Sequence, residues 1–324
     1  MLLAAASILF GFVALIWSAN LFVAGAASIA RNLGIAPIII GLTIVSLGTS
    51  APEILVSLTA SLSEAGPLAI GNAIGSNIAN IALVLGVTAL VAPLMIDEQC
   101  LKREIPVLLL ATVGVGALIL DGVLSIQDGC LMLAAIIIII VVLVFSELGK
   151  PEHATKPNDE PMPNLSPLRA WSTFAFGLLI LIFSSKILVW GAVIVAEELG
   201  VSELIIGLTV VAIGTSLPEL AATITSALRG HTEIAFGNII GSNLFNLLAV
   251  MSIPGIVGIE ALDPQAISRD YASMTALTFF LALAIFISSK RAKSKHKHAY
   301  IGRIMGTVLV SSYVLYYYFL LSAK

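Results

Sequence analysis

The sequence predicts an all-α membrane protein with ten transmembrane helices, arranged as two inverted five-helix repeats whose core helices are broken. Three observations carry this prediction: apolar residues make up 59% of the chain, the mean hydropathy is +1.07, and one half of the sequence repeats the other. Only 11% of the 324 residues are charged, whereas a soluble domain has about 25%. The net charge of −3 gives no sign of a nucleic-acid partner, and a lipid bilayer is the expected surrounding.

Ten apolar stretches, separated by charged or Gly/Pro-rich breaks, predict the spans. A helix that crosses a membrane needs roughly 20 apolar residues, and the first and sixth stretches are long enough to tilt strongly. The first repeat is then 1–146 and the second is 169–324, joined by a polar, proline-bearing cytoplasmic linker at 147–168. The predicted spans are 2–30, 36–62, 69–92, 105–120, 127–146, 170–199, 203–228, 236–258, 271–288 and 302–321.

The basic residues are divided unequally between the two sides that ten spans define. Cytoplasmic loops carry the excess of Lys and Arg, so the richer side should be cytoplasmic and both termini should be extracytoplasmic, in the plasma membrane. The other side has Arg269 and Lys324. The richer side has thirteen: Arg31, Lys102, Arg103, Lys150, Lys156, Arg169, Arg229, Lys290, Arg291, Lys293, Lys295, Lys297 and Arg303.

Lys186 is a basic residue that falls well within a predicted span, away from both of its ends. It lies in the sixth span, where its counterpart in the other repeat is Asn20. A lysine that snorkels or pairs on a tilted helix is the favoured interpretation, and a role in gating is the alternative.

The repeat itself is the most informative feature of the chain. Residues 41–80 and 207–246 are identical at 19 of 40 positions without a gap, at an offset of 166. Because each half has five spans, an odd number, the second half must enter the membrane from the opposite side. Transporters of this design have their substrate site at the repeat interface near mid-membrane, formed by discontinuous helices.

The second and seventh spans each contain the motif Gly-Thr-Ser-x-Pro-Glu, at 48–53 and 214–219. Proline within a helix removes one hydrogen bond and clashes with the preceding turn, and Ser or Thr can cap a helix that restarts. We therefore expect both spans to break at this motif. The motif ends in Glu53 and Glu219, and a lone carboxylate at mid-bilayer costs roughly 2.5 kcal/mol or more, which makes each a functional candidate.

The third and eighth spans each contain Gly-Asn-x-Ile-Gly-Ser-Asn-x-x-Asn, at 71–80 and 237–246. The pairs Ser76 with Asn80 and Ser242 with Asn246 have an i, i+4 spacing, which places each pair on one face of a helix. We favour ligation for these four side chains. For Asn72, Asn238 and the glycines, helix packing is favoured.

These residue types match the preferences of hard cations. Calcium takes six to eight oxygen ligands from carboxylates, carbonyls and amides, at about 2.3–2.6 Å. Neither motif has His or Cys, which argues against zinc and copper. Two carboxylates can balance one Ca²⁺, or sodium ions, or protons, and this shared requirement is a physical basis for exchange.

At these two motifs the sequence resembles the calcium/cation antiporter superfamily, in particular the prokaryotic-type sodium/calcium exchangers. The resemblance implies Ca²⁺ and Na⁺ as transported ions, no cofactor, no obligate protein partner and no enzymatic activity. It assigns Glu53 and Glu219 as shared ligands, with Thr49 and Thr215 supplying backbone carbonyls. It places six further side chains at the ion positions: Ser50, Ser76, Asn80, Ser216, Ser242 and Asn246.

One departure from the family pattern concerns the charge of the site. Some members have Asp where this chain has Asn246, so two formal negative charges remain and the sodium stoichiometry is open. A proton-coupled cation antiporter of the same fold is the alternative, since burial can favour protonated glutamates. A cation channel is remote, because channels arrange their ligands in rings around an axis. A membrane hydrolase is also remote, because the motif serines have no His or Lys beside them.

Overall fold

The fold is described by a computed structural model that covers residues 1–96, 102–146, 164–200, 212–258, 260–294 and 299–322. Within those residues the chain forms twelve helices, the eleventh of which is directly preceded by a π-helical turn at Ala266–Tyr271, and four short strands. The helices are α1 Leu2–Leu33, α2 Pro37–Thr49, α3 Ala51–Leu62, α4 Gly66–Val91, α5 Glu104–Leu118, α6 Ile126–Phe145, α7 Pro167–Glu198, α8 Ala212–Thr215, α9 Leu217–Leu228, α10 Thr232–Val257, α11 Ala272–Ser294 and α12 Arg303–Ser322. The strands are β1 Leu94–Ile96, β2 Val123–Leu124, β3 Glu260–Ala261 and β4 Ala299–Ile301.

Six of the helical segments are long and apolar enough to cross a membrane, and they correspond to the first, third, fifth, sixth, eighth and ninth predicted spans. The bent pair α2 and α3 makes a seventh candidate. Helix α5, in the fourth predicted span, has 15 residues and is about 22 Å long at 1.5 Å per residue. Part of the seventh predicted span, 203–211, lies outside the described residues. The multi-pass membrane character is therefore clear, and the count of ten stays a prediction.

The predicted linker lies almost wholly outside the described residues. Its last two positions, Pro167 and Leu168, are the first residues of α7. Proline at the first turn of a helix has the required φ and needs no hydrogen-bond partner for its nitrogen. Pro167 is therefore well suited to begin α7.

Helices α4 and α10 form the centre of the bundle. In their most apolar stretches 72% and 83% of residues are buried, against 28% for α1 and 22% for α7. The second motif of each repeat is on these two central helices, and this placement keeps its polar residues away from lipid.

Helices α1 and α7 pack against each other along a seam of glycines. A Cβ on Gly25 would lie 2.5 Å from the Phe174 backbone nitrogen, and a Cβ on Gly177 would lie 2.5 Å from that of Phe22. Such distances leave no room for any side chain, so the backbones are in direct contact. Since α1 and α7 have 32 residues each, or about 48 Å, they exceed the thickness of the bilayer core and must tilt.

A second close crossing joins the repeats at the centre. A Cβ on Gly41 of α2 would lie 2.5 Å from the Ile234 carbonyl oxygen, and one on Gly237 of α10 would lie 2.4 Å from that of Ile38. Small residues at helix crossings let backbones approach within a membrane. The first half of the broken helix α2–α3 is thereby held against the central helix of the other repeat.

Four short strands were not predicted from the sequence. β1 pairs with β4 antiparallel, with Leu94 opposite Ile301, and β2 pairs with β3, with Val123 opposite Ala261. Each strand has only two or three residues, too few for a period-two pattern to be recognised. Each pair joins one strand of the first repeat to one strand of the second. The two repeats therefore contribute equally to both small sheets.

Candidate cation-binding site

Both motifs with proline interrupt their helices as expected. α2 ends at Thr49 and α3 restarts at Ala51 with a bend of 45°, and Ser50 between them has ψ 3°. In the second repeat α8 ends at Thr215, Ser216 has ψ 4°, and α9 restarts at Leu217. Proline follows at the second position of each restarted helix, where a missing N–H has no consequence for the helix.

The expected serine caps do not form. Neither Ser50 nor Ser216 makes a side-chain hydrogen bond to the start of its helix. Ser50 Oγ instead donates to Glu219 Oε1 of the other repeat at 3.4 Å. Ser216 Oγ is buried and has no hydrogen-bond partner among the described residues. Both hydroxyls are thus available to the centre of the molecule and not to the local backbone.

Glu53 and Glu219 lie in the first turn of α3 and α9, where the helix dipole favours a negative charge. Each residue is 1% exposed. The Oε2 atom of each has no hydrogen-bond partner within the described part of the chain, although buried polar atoms are nearly always satisfied. The hydrogen bond from Ser50 places the Glu219 carboxylate beside the break of the first repeat, three residues before Glu53. The two carboxylates therefore form one buried acidic centre with free oxygen atoms.

Asn80 and Asn246 occupy equivalent positions on the central helices. Both are buried, at 1% and 0% exposure, and both amide atoms of each lack a partner among the described residues. Each lies in a π-helical turn, Ala79–Val84 in α4 and Asn246–Val250 in α10. π-helical turns are frequent at functional sites because they widen the helix and alter the directions of side chains.

Thr49 connects the break of the first repeat to α10. Its Oγ1 donates to Asn238 Oδ1 at 3.2 Å and lies 3.5 Å from Ser242 Oγ. Ser242 is fully buried and Ser76 is 6% exposed. Ser242 is therefore beside the break, whereas in the described part of the chain no hydrogen bond joins Ser76 to the other predicted ligands.

The sequence missed the partners of Asn72 and Asn238. Asn72 Nδ2 donates to the Glu53 carbonyl at 3.1 Å and to Ser57 Oγ at 3.2 Å. Asn238 Nδ2 donates to Thr223 Oγ1 at 2.9 Å, and Thr223 is the repeat counterpart of Ser57. Both asparagines thus tie a central helix to a glutamate-bearing helix, in agreement with the packing role that the sequence favoured. The sequence does show a hydroxyl-bearing residue four positions after each glutamate, Ser57 and Thr223, which could have indicated these partners.

Ser185 of α7 is a further residue that the motifs did not reveal. Its Oγ donates to the Gly214 carbonyl at 3.1 Å. Pro218 has no N–H to offer that carbonyl, which lies four residues earlier. The freed backbone oxygen is thereby satisfied by the neighbouring long helix, and the counterpart of Ser185 in the first repeat is Ala19, which cannot do the same.

A cleft of about 590 Å³ reaches the break of the second repeat. It lies between α3, α7 and the α8–α9 break, and its walls include Pro52, Lys186, Trp190 and Thr215. Thr215 is half-buried, whereas Thr49 is fully buried. One of the two equivalent breaks is therefore accessible from outside the protein, and Lys186 is in the wall of the access route.

The opposite end of α9 is tied to α1. Arg229 directly follows α9, and its Nε and Nη2 donate to Asn20 Oδ1 at 3.1 and 2.9 Å. Leu217 and Arg229 are twelve residues apart, about 18 Å along a helix. The cleft and this contact thus lie at opposite ends of the same helix.

The arrangement can neutralise and coordinate a cation. It combines two carboxylates, two amide groups and several hydroxyls, all oxygen donors of the kind that Ca²⁺ accepts. Among the described residues no group of three or more His, Cys, Asp or Glu is found, so the charge at the centre is limited to the two glutamates. A site with few charges and many neutral oxygens is suited to an ion that binds and leaves.

A buried acidic centre built from two repeated, broken helices in a membrane bundle is the architecture of secondary transporters. The model of the sodium/calcium exchanger protein family matches residues 3–145 and 169–322, and the chain belongs to that family. The resemblance inferred from the two motifs is therefore confirmed, and the chain is a membrane cation antiporter.

Individual relatives agree with this assignment over the full length of the chain. The chain is 43% identical to the putative antiporter CaxA of Alkalimonas amylolytica, over 100% of both proteins. It is 37% identical to the inner membrane protein YrbG of Escherichia coli, over 98% of this chain and 96% of that protein. A solved structure of the sodium-calcium exchanger NCX_Mj superposes with a TM-score of 0.80 at 30% identity, over 97% of each chain.

Proposed function

We propose that this protein exchanges Ca²⁺ for Na⁺ across the plasma membrane by alternating access. The proposal rests on a set of buried oxygens that have no hydrogen-bond partner among the described residues, on Glu53, Glu219, Asn80, Asn246 and Ser216. The two carboxylates balance either one Ca²⁺ or two Na⁺. Because both ions need the same charges, the binding of one displaces the other.

The remaining predicted ligands complete the ion positions in this proposal. Thr49 and Thr215 end the first halves of the broken helices and would supply backbone carbonyls. Ser50, Ser76 and Ser242 would add hydroxyl oxygens for sodium. The name of NCX_Mj as a sodium-calcium exchanger and the matched family support this pair of ions.

The proposal includes two inverted five-span repeats, 1–146 and 169–324, with a cytoplasmic linker at 147–168 and both termini extracytoplasmic. The reciprocal pairing of β1 with β4 and of β2 with β3 supports a two-fold relation between the halves. So does the equivalence of Asn72–Ser57 with Asn238–Thr223. The name of YrbG as an inner membrane protein supports the location.

Access would alternate between the two ends of the broken helices. On the predicted topology the cleft beside Thr215 faces the extracytoplasmic side, and the Arg229–Asn20 contact lies towards the cytoplasmic side. The glycine seam between α1 and α7 brings the backbones of the two helices into direct contact. It would let these two helices move together across the central helices while the site stays in place.

The test is uptake of calcium-45 into proteoliposomes. One set of vesicles is loaded with sodium, and a second contains only a pH gradient of either sign. Uptake that requires internal sodium and ignores the pH gradient is the expected result. Uptake driven by the pH gradient alone would move the protein to proton-coupled cation antiport, with the same fold and the same glutamates.

Uptake that continues without any counter-ion would be the signature of a channel and would contradict the exchange mechanism itself. Vesicles that contain the Glu53→Gln variant serve as the leak control, because this variant lacks one of the two charges on which exchange depends.

A further inference from the structure

A groove of about 950 Å³ lies away from the glutamates, between the end of α11, strand β4 and the start of α12. Its two ends differ in chemistry. Phe280, Leu283 and Ile287 of α11 form an apolar end, and Arg291 and Arg303 form a basic end. The groove is therefore amphipathic along its length.

The groove is about as long as one leaflet of a bilayer is thick. Phe280 and Arg291 are eleven residues apart on α11, which is about 16 Å at 1.5 Å per residue. Half of the roughly 30 Å hydrocarbon core is about 15 Å. The apolar end thus reaches the middle of the membrane when the basic end is at the level of the lipid headgroups.

The charge at the basic end is not neutralised within the described part of the chain. Arg291 and Arg303 are both exposed. The salt bridges found between described residues join other pairs: Met1 with Glu198, Arg103 with Glu104, and Arg269 with Asp270. Ser288 is occupied, because its hydroxyl donates to the Tyr300 carbonyl at 2.9 Å and accepts from the Tyr300 N–H at 3.0 Å. These two bonds fix β4 against α11. Because Arg303 follows β4 by two residues, both arginines are at the same end of the groove.

We propose that this groove binds one anionic phospholipid, with its acyl chains along Phe280, Leu283 and Ile287 and its headgroup phosphate between Arg291 and Arg303. Guanidinium groups match phosphate in charge and geometry, and basic pockets between transmembrane helices at the cytoplasmic face bind anionic headgroups. A zwitterionic lipid would leave two positive charges uncompensated. Free phosphate would leave the apolar walls uncovered.

The test is native mass spectrometry of the full chain in detergent, titrated with phosphatidylglycerol and with phosphatidylcholine of the same acyl chains. We expect one phosphatidylglycerol to bind well before any phosphatidylcholine. The double variant Arg291→Gln/Arg303→Gln should bind phosphatidylglycerol about thirtyfold more weakly, which corresponds to the loss of two surface charges. Binding of both lipids with equal affinity would overturn the proposal.

The matched control is Arg169→Gln/Lys290→Gln, which removes the same charge from the same predicted side. Neither residue lines the groove, and Lys290 Nζ lies over the Phe286 ring at 4.6 Å. This control should bind phosphatidylglycerol as the wild type does. An equal loss in both double variants would mean diffuse attraction to a basic surface and would overturn the site.

A third variant tests the apolar end and keeps both arginines. Ala284→Phe places a large side chain in the groove wall and should weaken phosphatidylglycerol binding as well. Unchanged binding in this variant, or displacement of the lipid by inorganic phosphate, would overturn the placement of the acyl chains. The melting temperature of each variant in phosphatidylcholine reports folding separately.

Discussion

Replacing Glu219 by glutamine removes one of the two charges at the centre while keeping the shape of the side chain. Glu219 is 1% exposed, and Ser50 Oγ donates a long hydrogen bond of 3.4 Å to its Oε1. Glu53 is the only other acid of the motifs, and among the described residues no third acidic group joins the two glutamates. Calcium binding should therefore depend on Glu219 almost completely.

The size of the loss follows from the burial. Removing one partner of a buried charge pair costs about 3–5 kcal/mol, which is roughly 150-fold to 4,000-fold in affinity. Isothermal titration calorimetry measures Ca²⁺ binding, and calcium-45 exchange should fall to the background of empty vesicles. Glu53→Gln should have the same effect, since the two glutamates are equivalent in the repeat.

Stability separates this result from a failure to fold. The ion-free variant should melt at or above the temperature of the ion-free wild type, because a buried charge with a free Oε2 has been removed. Saturating Ca²⁺ stabilises the wild type, by about 2.7 kcal/mol at a hundred times Kd, and should not stabilise the variant. The exposed Glu64→Gln is the matched control. Wild-type Ca²⁺ affinity in Glu219→Gln would refute the assigned site.

Three further predictions concern other parts of the molecule. Gly25→Ala should lower the unfolding free energy by about 1–3 kcal/mol, because its Cβ would overlap the backbone of α7. Gly114→Ala is the control and should have no such effect, because nothing lies within 4 Å of its Cβ. Thermal unfolding measures the difference between the two variants. Asn246→Asp adds a third carboxylate and should keep exchange but raise the number of Na⁺ or H⁺ moved per Ca²⁺, measured from flux ratios; loss of folding would indicate packing instead. Arg229→Gln breaks two hydrogen bonds to Asn20 and should shift the conformational population about tenfold or more. Slower labelling of a cysteine placed in the cleft wall would report the shift, and unchanged labelling would contradict it.

The parts of the site that are local in sequence were predictable. Proline and glycine act on their own helix, so the breaks at Thr49 and Thr215 follow from the motif alone. The duplication then indicates that both breaks serve one centre. Glu53 and Glu219 could be assigned because a carboxylate in an apolar span has few structural explanations.

The parts that depend on contacts between distant elements could not be predicted. Ser50 has the position of a helix cap, yet its hydroxyl is directed to Glu219 because the other repeat brings an acceptor within reach. Ser185 is one of three serines in the apolar helix α7, and only the contact with the Gly214 carbonyl distinguishes it from the other two. The π-helical turns at Asn80 and Asn246 alter one hydrogen-bond register, and no residue pattern in the motif indicates such a change.

The two copies of the first motif have the same functional residues but different surroundings. Ser50 reaches Glu219, whereas Ser216 has no partner among the described residues, and Thr215 lines the cleft whereas Thr49 does not. Because the motif residues are the same in both copies, the motif alone cannot account for this difference. We attribute the difference in environment to the conformation of the protein. Exchange of the two environments would generate the opposite access state from the same contacts.

Residues that break the repeat must then set the balance between the two states. Asn20 accepts two hydrogen bonds from Arg229, while its counterpart Lys186 is in the wall of the open cleft. The counterpart of Arg229 is Ser63, so closing the cleft cannot recreate the same charged contact at the other end. The Arg229–Asn20 contact therefore favours the state described here, and a bound ion must offset this bias for the carrier to turn over.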